Sequence, residues 1–276
     1  MSSIEHQMAE IYCFVDDYLK AHPRLAQWRR SPNSTPAFTD AEVITVALMQ
    51  GCLGVATLKK AYLLLAFNHR SAFPNLVTYQ QWLARLHALT ATIGHLFGST
   101  SAAADSQGCY LIDSKPIPVC KPIRHSRARL LREDGAYWAR TSSGWFFGFK
   151  LHLLMTHAGR ILSAALTPAN FQDQEAATAL GYATEGGDLL ADLGYRASAN
   201  AEQVAEETGL VIVTPGDAGP RRALVSSVRE RIETLFSQLW SKFIDRVFSR
   251  SWNGLWNTIK LKLLNYNLCQ AGLLSA

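Results

Sequence analysis

The sequence lacks the features of membrane-spanning, secreted and zinc-binding proteins. No uncharged apolar run reaches the roughly 18 residues that a membrane helix needs. Its five cysteines, an odd number, include no pair at a zinc-ligand spacing such as C-x-x-C. Acidic residues near the start, Glu5, Glu10, Asp16 and Asp17, argue against a secretory signal. We therefore expect free thiols in a soluble, cytoplasmic protein with no membrane partner.

Charge is sparse and unevenly distributed. Charged residues make up 18% of the chain and hydrophobic residues 48%, which excludes general disorder and allows a sizeable core. Residues 115–160 hold nine Lys/Arg against two acids, and residues 221–262 hold nine against three. Between them, residues 161–220 hold nine acids and one Arg. The basic segments are suited to binding a phosphate backbone, and some of the acids are suited to binding a divalent cation. Ordinary solvated surface would also account for both kinds of segment.

The pattern of apolar residues predicts two parts, a helical region at 1–97 and an α/β domain at 108–276. Capping-box patterns at Thr39/Glu42 and Thr78/Gln81 indicate short helices, which fit either a DNA-binding helix-turn-helix or a plain bundle. Small polar residues predict a linker at 98–107. Five strands are then expected, at Cys109–Val119, Trp145–Thr156, Ile161–Leu166, Asp188–Asp192 and Leu210–Thr214. Helices are expected at Gln172–Ala183, Ala199–Thr208 and Val225–Phe248.

Three carboxylates are the candidate catalytic residues. Asp113 and Asp192 each close an apolar strand, and Glu233 borders the apolar face of the last predicted helix. Converging carboxylates are hard oxygen ligands suited to Mg²⁺ or Mn²⁺, the ions that phosphodiester chemistry requires. Each acid alone would more often be a helix cap or one half of a surface ion pair. The combination predicts a metal-dependent phosphodiester site.

Five motifs in order resemble the DDE transposases of the insertion-sequence 982 family, within the ribonuclease-H-like superfamily. They are Leu-Ile-Asp-Ser-Lys-Pro-Ile-Pro-Val-Cys (111–120), Gly-Phe-Lys-Leu-His (148–152), Leu-Thr-Pro-Ala-Asn (166–170), Ala-Asp-Leu-Gly-Tyr-Arg (191–196) and Arg-Ile-Glu-Thr-Leu-Phe-Ser-Gln-Leu (231–239). The segment at 40–45 also resembles the start of such proteins, so the likeness covers nearly the whole chain.

The resemblance implies a specific fold and activity. The fold would be a ribonuclease-H-like mixed five-stranded sheet flanked by helices, behind an all-helical N-terminal region. Asp113, Asp192 and Glu233 would bind Mg²⁺, cleave DNA at insertion-sequence ends and join the freed 3′-hydroxyl to target DNA. Double-stranded DNA would be the partner, with two copies of the chain acting together. Two alternatives remain: a nuclease of the same fold that does not join strands, and a silent DNA-binding remnant of a transposase.

Basic residues outside the triad are candidate DNA contacts, because Lys and Arg set affinity and register on phosphates. We expect a basic flap between the first two strands and further contacts before and within the last helix. The candidates are Lys121, Arg124, Arg127, Arg129, Arg132, Arg221, Arg222 and Arg229, the last fitting the Arg-x-x-x-Glu pattern of related transposases.

Four further residues admit two interpretations each. Lys150 and His152 share one strand face, where they would contact a phosphate or orient a carboxylate, or simply face solvent. Asp173 is interpreted as a helix N-cap, with a supporting acid as the alternative. Trp252 would stack on an unpaired base or pack in the core.

Overall fold

The computed structural model describes residues 3–26, 36–102, 107–142, 144–195, 198–215, 222–242, 244 and 247–274. The helices are α1 Ile4–Ala21, α2 Asp40–Cys52, α3 Leu58–Asn68, α4 Tyr79–Ala88, α5 Thr90–Ala102, α6 Asp173–Gly181, α7 Ser198–Thr208, α8 Arg222–Ser241 and α9 Trp252–Gln270. The strands are β1 Cys109–Cys120, β2 Tyr137–Thr141, β3 Gly144–Thr156, β4 Ile161–Pro168, β5 Gly187–Leu190 and β6 Leu210–Val213. The chain forms two compact units: Met1–Thr100 with Ser241–Phe243 and Asn253–Ala276, and Ser101–Trp240 with Ile244–Trp252.

The first unit is helical and packs around α2. Both predicted capping boxes are confirmed: Glu42 N donates to Thr39 Oγ1 at 3.2 Å, and Thr78 N donates to Gln81 Oε1 at 3.1 Å. These caps satisfy backbone donors that the first helical turn leaves without partners. Trp82 of α4 is fully buried and donates its indole N–H to Val43 O, which fixes α4 against α2.

The structure divides the chain differently from the predicted boundary. The segment predicted as a linker at 98–107 is helical up to Ala102, and residues 103–106 lie outside the described residues. Small hydroxyl residues were interpreted as loop-forming, but Ser99 and Thr100 donate to the carbonyls of Leu96 and Phe97 and remain in the helix. The C-terminal helix α9, predicted as part of the α/β domain, belongs to the first unit, whose core receives three of its leucines, Leu261, Leu264 and Leu268.

The second unit is built on one mixed sheet with the strand order β2-β3-β1-β5-β6. Strand β3 pairs antiparallel with β1, β2 and β4, whereas β1–β5 and β5–β6 are parallel pairs. The prediction of five strands was wrong by one. The missed strand, β2, is only five residues long and forms a hairpin with the first part of β3. Because its sequence mixes aromatic and basic residues, it shows little of the alternation that marks a strand.

Helices cover both faces of this sheet. Tyr110 and Ile112 of β1 share a core with Ala177 and Leu180 of α6 and with Val204 of α7. Alternate residues of β1 point the other way, toward α8. There Lys115 lies over the ring of Phe236, with its Nζ 5.4 Å from the ring centroid. Asp113 lies between Leu111 and Lys115 in this alternation, and therefore on the α8 face.

Candidate active site

The two aspartates come together through the register of parallel strands. Leu111 of β1 is opposite Leu190 of β5, so two residues further along Asp113 comes beside Asp192. Adjacent strands lie about 4.8 Å apart. Asp113 ends the apolar run of β1 but not the strand, which continues to Cys120, one residue beyond its predicted end at Val119. Instead β5 stops at Leu190, which leaves the edge of β1 open at Asp113.

Backbone amides orient both carboxylates. Ser114 N donates to Asp113 Oδ1 and Leu193 N donates to Asp192 Oδ1, each at 2.7 Å. Asp192 leads directly into a 3₁₀ turn at Leu193–Tyr195. Each amide belongs to the residue that follows the aspartate, so it holds one carboxylate oxygen close to the backbone and leaves the second oxygen for other contacts.

Glu233 completes one cleft with the two aspartates. Helix α8 buries Ile232, Leu235, Phe236 and Leu239, which confirms the predicted apolar face, and leaves Glu233 exposed beside it. The cleft has a volume of about 90 Å³. Its lining consists of Leu111, Ile112, Asp113, Lys115, Leu190, Ala191, Asp192, Pro215, Ile232 and Glu233. The three acids selected from the sequence therefore lie around the same space.

The electrostatics of the cleft disfavour its negative charge. Burial raises the pKa of Asp113, and the charge of Asp192 acts in the same direction. Lys115, with Nζ 3.5 Å from Asp113 Oδ2, and the Ser114 amide oppose this increase. Sequence reasoning did not select Lys115, although its position two residues after Asp113 places it on the same strand face. A divalent cation in the cleft would relieve the excess of acid over base.

The donor set fits Mg²⁺ or Mn²⁺, since three carboxylates supply hard oxygen ligands around one cavity. Among the residues that the structure describes, no three His, Cys, Asp or Glu side chains are already close enough to hold an ion. The fold thus gathers the acids around one cleft without closing them into a metal cage.

The opposite face of β1 carries a second polar group, which we call the Asp173 cluster: Asp173, Lys150, Ser114 and His152. Asp173 Oδ1 accepts from Lys150 Nζ at 2.7 Å and from Ser114 Oγ at 3.2 Å. The predicted N-cap role of Asp173 was wrong, because the cap residue of α6 is Gln172. The carboxylate of Asp173 instead points to the sheet, an arrangement that depends on pairing between β1 and β3 and is not visible in local sequence.

His152 is fully buried in this cluster. Its Nε2 lies 2.8 Å from Thr167 Oγ1 and its Nδ1 lies 3.8 Å from Asp173 Oδ1. Burial, more than any neighbouring charge, lowers the pKa of His152 to about 4. The prediction that His152 contacts DNA was wrong, because its ring has no exposed surface. Lys150, also predicted to contact DNA, is mostly buried on Asp173 rather than directed at solvent.

The remaining DNA-contact candidates have different outcomes. Lys121, Arg124, Arg127 and Arg129 are exposed along a 3₁₀ turn at Pro122–Arg127 and just beside it, so the predicted basic segment is a surface. Arg221 lies outside the described residues, as do the side chains of Arg222 and Arg229. Trp252 is half-buried against Phe149, with ring centroids 5.1 Å apart, which agrees with the packing interpretation.

Comparison with known proteins decides the family. A family model described as a transposase DDE domain matches residues 103–244, a little more than half of the chain. The chain belongs to the transposase DDE domain family. No curated protein and no solved structure matches it. The matched segment contains Asp113, Asp192 and Glu233, and membership implies an enzyme of the nuclease and transposase class.

Family membership agrees with the architecture. A mixed sheet flanked by helices is compatible with the ribonuclease-H-like fold of a DDE domain. DDE transposase domains generally use divalent metals and act on DNA, which accords with an acid-lined cleft and an exposed basic segment in the same unit. Within the described residues, no helix is long and apolar enough to cross a membrane.

Proposed function

We propose that this DDE transposase catalyses Mg²⁺-dependent strand cleavage and strand transfer at the ends of an insertion sequence of the 982 family. Asp113, Asp192 and Glu233 are the catalytic, metal-binding residues. The observation that carries the proposal is that the three carboxylates line a single cleft on one face of the sheet. Mn²⁺ would serve in place of Mg²⁺, because it takes the same oxygen ligands.

Each acid has a distinct part in the site. Asp113 and Asp192, side by side in register, would hold a cation from the sheet. Glu233 projects from α8 and approaches from the other wall of the cleft. When bound, such cations activate a water or a 3′-hydroxyl and stabilise the leaving oxygen of the phosphodiester. The protein orients the carboxylates of Asp113 and Asp192 through the Ser114 and Leu193 amides.

Lys115 supplies the positive charge within the cleft. Its ammonium is 3.5 Å from Asp113 and lies over the ring of Phe236, which restricts the flexible stem. From this position it limits repulsion between Asp113 and Asp192 before a cation binds. With the cation in place, it is available to a phosphate oxygen of the DNA.

DNA binding is assigned to the exposed basic segment. Lys121, Arg124, Arg127 and Arg129 would hold the phosphate backbone without reading its sequence. The helical region at 1–97 would recognise the insertion-sequence ends. Because two ends must be joined in one reaction, we propose that two copies of the chain act as a dimer on DNA.

The test uses the full chain with a labelled insertion-sequence end, Mg²⁺ and target plasmid. Asp113→Asn, Asp192→Asn and Glu233→Gln should each abolish cleavage and strand transfer, while affinity for the DNA survives. Glu230→Gln is the matched control, because Glu230 is an exposed acid on α8 outside the cleft lining. Full activity in any of the three variants would refute the assignment.

The same assay separates the alternatives. Cleavage without joining would identify a nuclease of the same fold, and DNA binding without any nicking would identify a silent remnant.

A further inference from the structure

The hairpin of β2 and β3 presents aromatic and basic side chains on one face. Residues opposite each other in an antiparallel pair point to the same side, and here the pairs are Trp138 with Phe147 and Arg140 with Trp145. Phe147 is buried and Trp138 half-buried, whereas the side chain of Trp145 is 60% exposed. The Trp138 and Trp145 rings meet edge to face with centroids 6.5 Å apart. We call this face the hairpin platform.

Neighbouring residues pack against the rings of the platform. The His125 ring lies 4.7 Å from that of Trp138 and 4.6 Å from that of Phe147. Arg132 Nη2 lies 2.9 Å from His125 Nε2, and its guanidinium lies 5.7 Å from the centroid of the Phe147 ring. The exposed Trp145 indole therefore lies in a paired strand, next to a packed group of rings. Such preorganisation lowers the entropic cost of binding a flat ligand.

The charge around the platform identifies its ligand. Arg140 is exposed beside Trp145, and Arg124 and Arg132 are exposed beside His125. Residues 115–160 carry nine Lys/Arg and two acids, so the surroundings favour a polyanion. A purely apolar protein partner would gain nothing from this charge. Aromatic faces interleaved with basic side chains are the arrangement that binds unpaired nucleic-acid bases while holding their phosphates.

We propose that the hairpin platform binds an unpaired DNA base, with Trp145 stacking on the base and Arg140 contacting the adjacent phosphate. A base inside a duplex is stacked on its neighbours and cannot reach an indole on the protein surface, so the ligand is a single-stranded or extruded nucleotide. The inference rests on the proposed function, since it concerns the same DNA substrate. Trp252, the residue first considered for base stacking, is packed against Phe149, whereas Trp145 lies on β3.

The test compares two probes on the full chain: a labelled single-stranded oligonucleotide and the blunt duplex of the same sequence. Trp145→Ala should weaken binding of the single strand by roughly 5- to 150-fold, the loss expected for one base–aromatic stack, and leave duplex affinity nearly unchanged. Trp145→Phe should retain most of the affinity, because a phenyl ring still stacks. Tyr182→Ala is the matched control, because Tyr182 is an aromatic residue of similar exposure, 64%, outside the basic segment.

Three outcomes would overturn the proposal. The first is an unchanged single-strand affinity in Trp145→Ala, and the second is an equal loss of affinity for both probes. The third is a change in oligomeric state with single-strand affinity intact, because that result would indicate a protein contact. In each case, DNA cleavage that depends on the three acids would leave the proposed function standing. Failure of the unmodified protein to bind either probe would contradict the proposed function as well.

Discussion

Acidic side chains lie on both faces of β1 at the same point of the strand, and the protein compensates their negative charge to different extents. On one face, Asp113 lies in a cleft with Asp192 and Glu233, where burial and a like charge raise its pKa. On the other face, the next residue, Ser114, donates to Asp173, whose carboxylate also receives the ammonium of Lys150 at 2.7 Å. The Asp173 cluster is neutralised by the protein's own donors. The cleft is arranged so that an external cation would complete it.

This difference distinguishes an acid that the fold itself neutralises from the acids proposed to bind a metal. A carboxylate that contributes to folding is accompanied by donors that the chain itself supplies. A carboxylate kept for a metal is partly buried with other acids, and the donors that the chain supplies there, such as Lys115 beside Asp113, offset the cost in stability only in part. Removing a charged group from the Asp173 cluster should therefore lower the stability of the fold, whereas removing one from the cleft should raise it.

The largest expected effect of this kind is on the Asp173 cluster. Lys150→Met should lower the free energy of unfolding by about 2 to 3 kcal/mol, because it leaves a half-buried carboxylate without its cation. Chemical denaturation at neutral pH measures this change. The double variant Lys150→Met/Asp173→Asn should recover part of the loss.

The exposed pair of Lys20 with Asp16, 2.6 Å apart, provides the control for Lys150→Met. Lys20→Met should cost about 0.5 kcal/mol or less, as is usual for surface pairs. Equal costs for Lys150→Met and Lys20→Met would show that the Asp173 cluster is no more than a surface contact.

His152 adds a pH dependence to the same cluster. Its pKa is lowered to about 4 in the folded chain, against about 6.5 when unfolded, so the unfolded chain takes up the proton first as pH falls. The stability contributed by neutral His152 is thus present above pH 6.5 and is lost progressively between about pH 6.5 and pH 4.

Unfolding free energies measured at pH 7 and pH 5 test this dependence. At pH 5 the loss should be about 2 kcal/mol in the unmodified protein. In His152→Asn this part of the pH dependence should vanish, whatever the variant's absolute stability. The same pH dependence in both proteins would contradict the burial of a neutral ring.

The smallest expected effect belongs to the cleft and has the opposite sign. Because the folded pKa of Asp113 is raised above its unfolded value, its ionised form at pH 7 destabilises the fold. Asp113→Asn should therefore raise Tm by roughly 1 to 4 °C in a buffer with chelator, even though it abolishes activity. A lower Tm for Asp113→Asn would place Asp113 with the structural acids.

Local sequence predicted those features that local patterns determine. The apolar run before Asp113, the capping boxes and the apolar face of α8 were all found as expected. So was the end of α7 at Thr208, which is followed by Gly209 with a φ of +69° that suits a residue without a Cβ. The candidate acids were found because two of them follow apolar strand residues and one borders a helical apolar face.

Features that depend on distant pairing were missed. His152 alternates with Lys150 as a surface residue would, yet its ring is fully buried beside Thr167 of β4 and Asp173 of α6. Asp173 has the position of a helix cap, but its donors are 23 and 59 residues away in the chain. Helix α9 follows the sheet in sequence and packs with the first unit, which composition alone does not reveal.

Crystals of the full chain with Mn²⁺, measured for anomalous scattering, test the central claim most directly. We predict an anomalous peak in the cleft, with carboxylate oxygens of Asp113 and Asp192 at roughly 2 Å, and its loss in Asp113→Asn. A peak at Asp173 instead, or a cleft that stays empty at saturating Mn²⁺, would contradict the account.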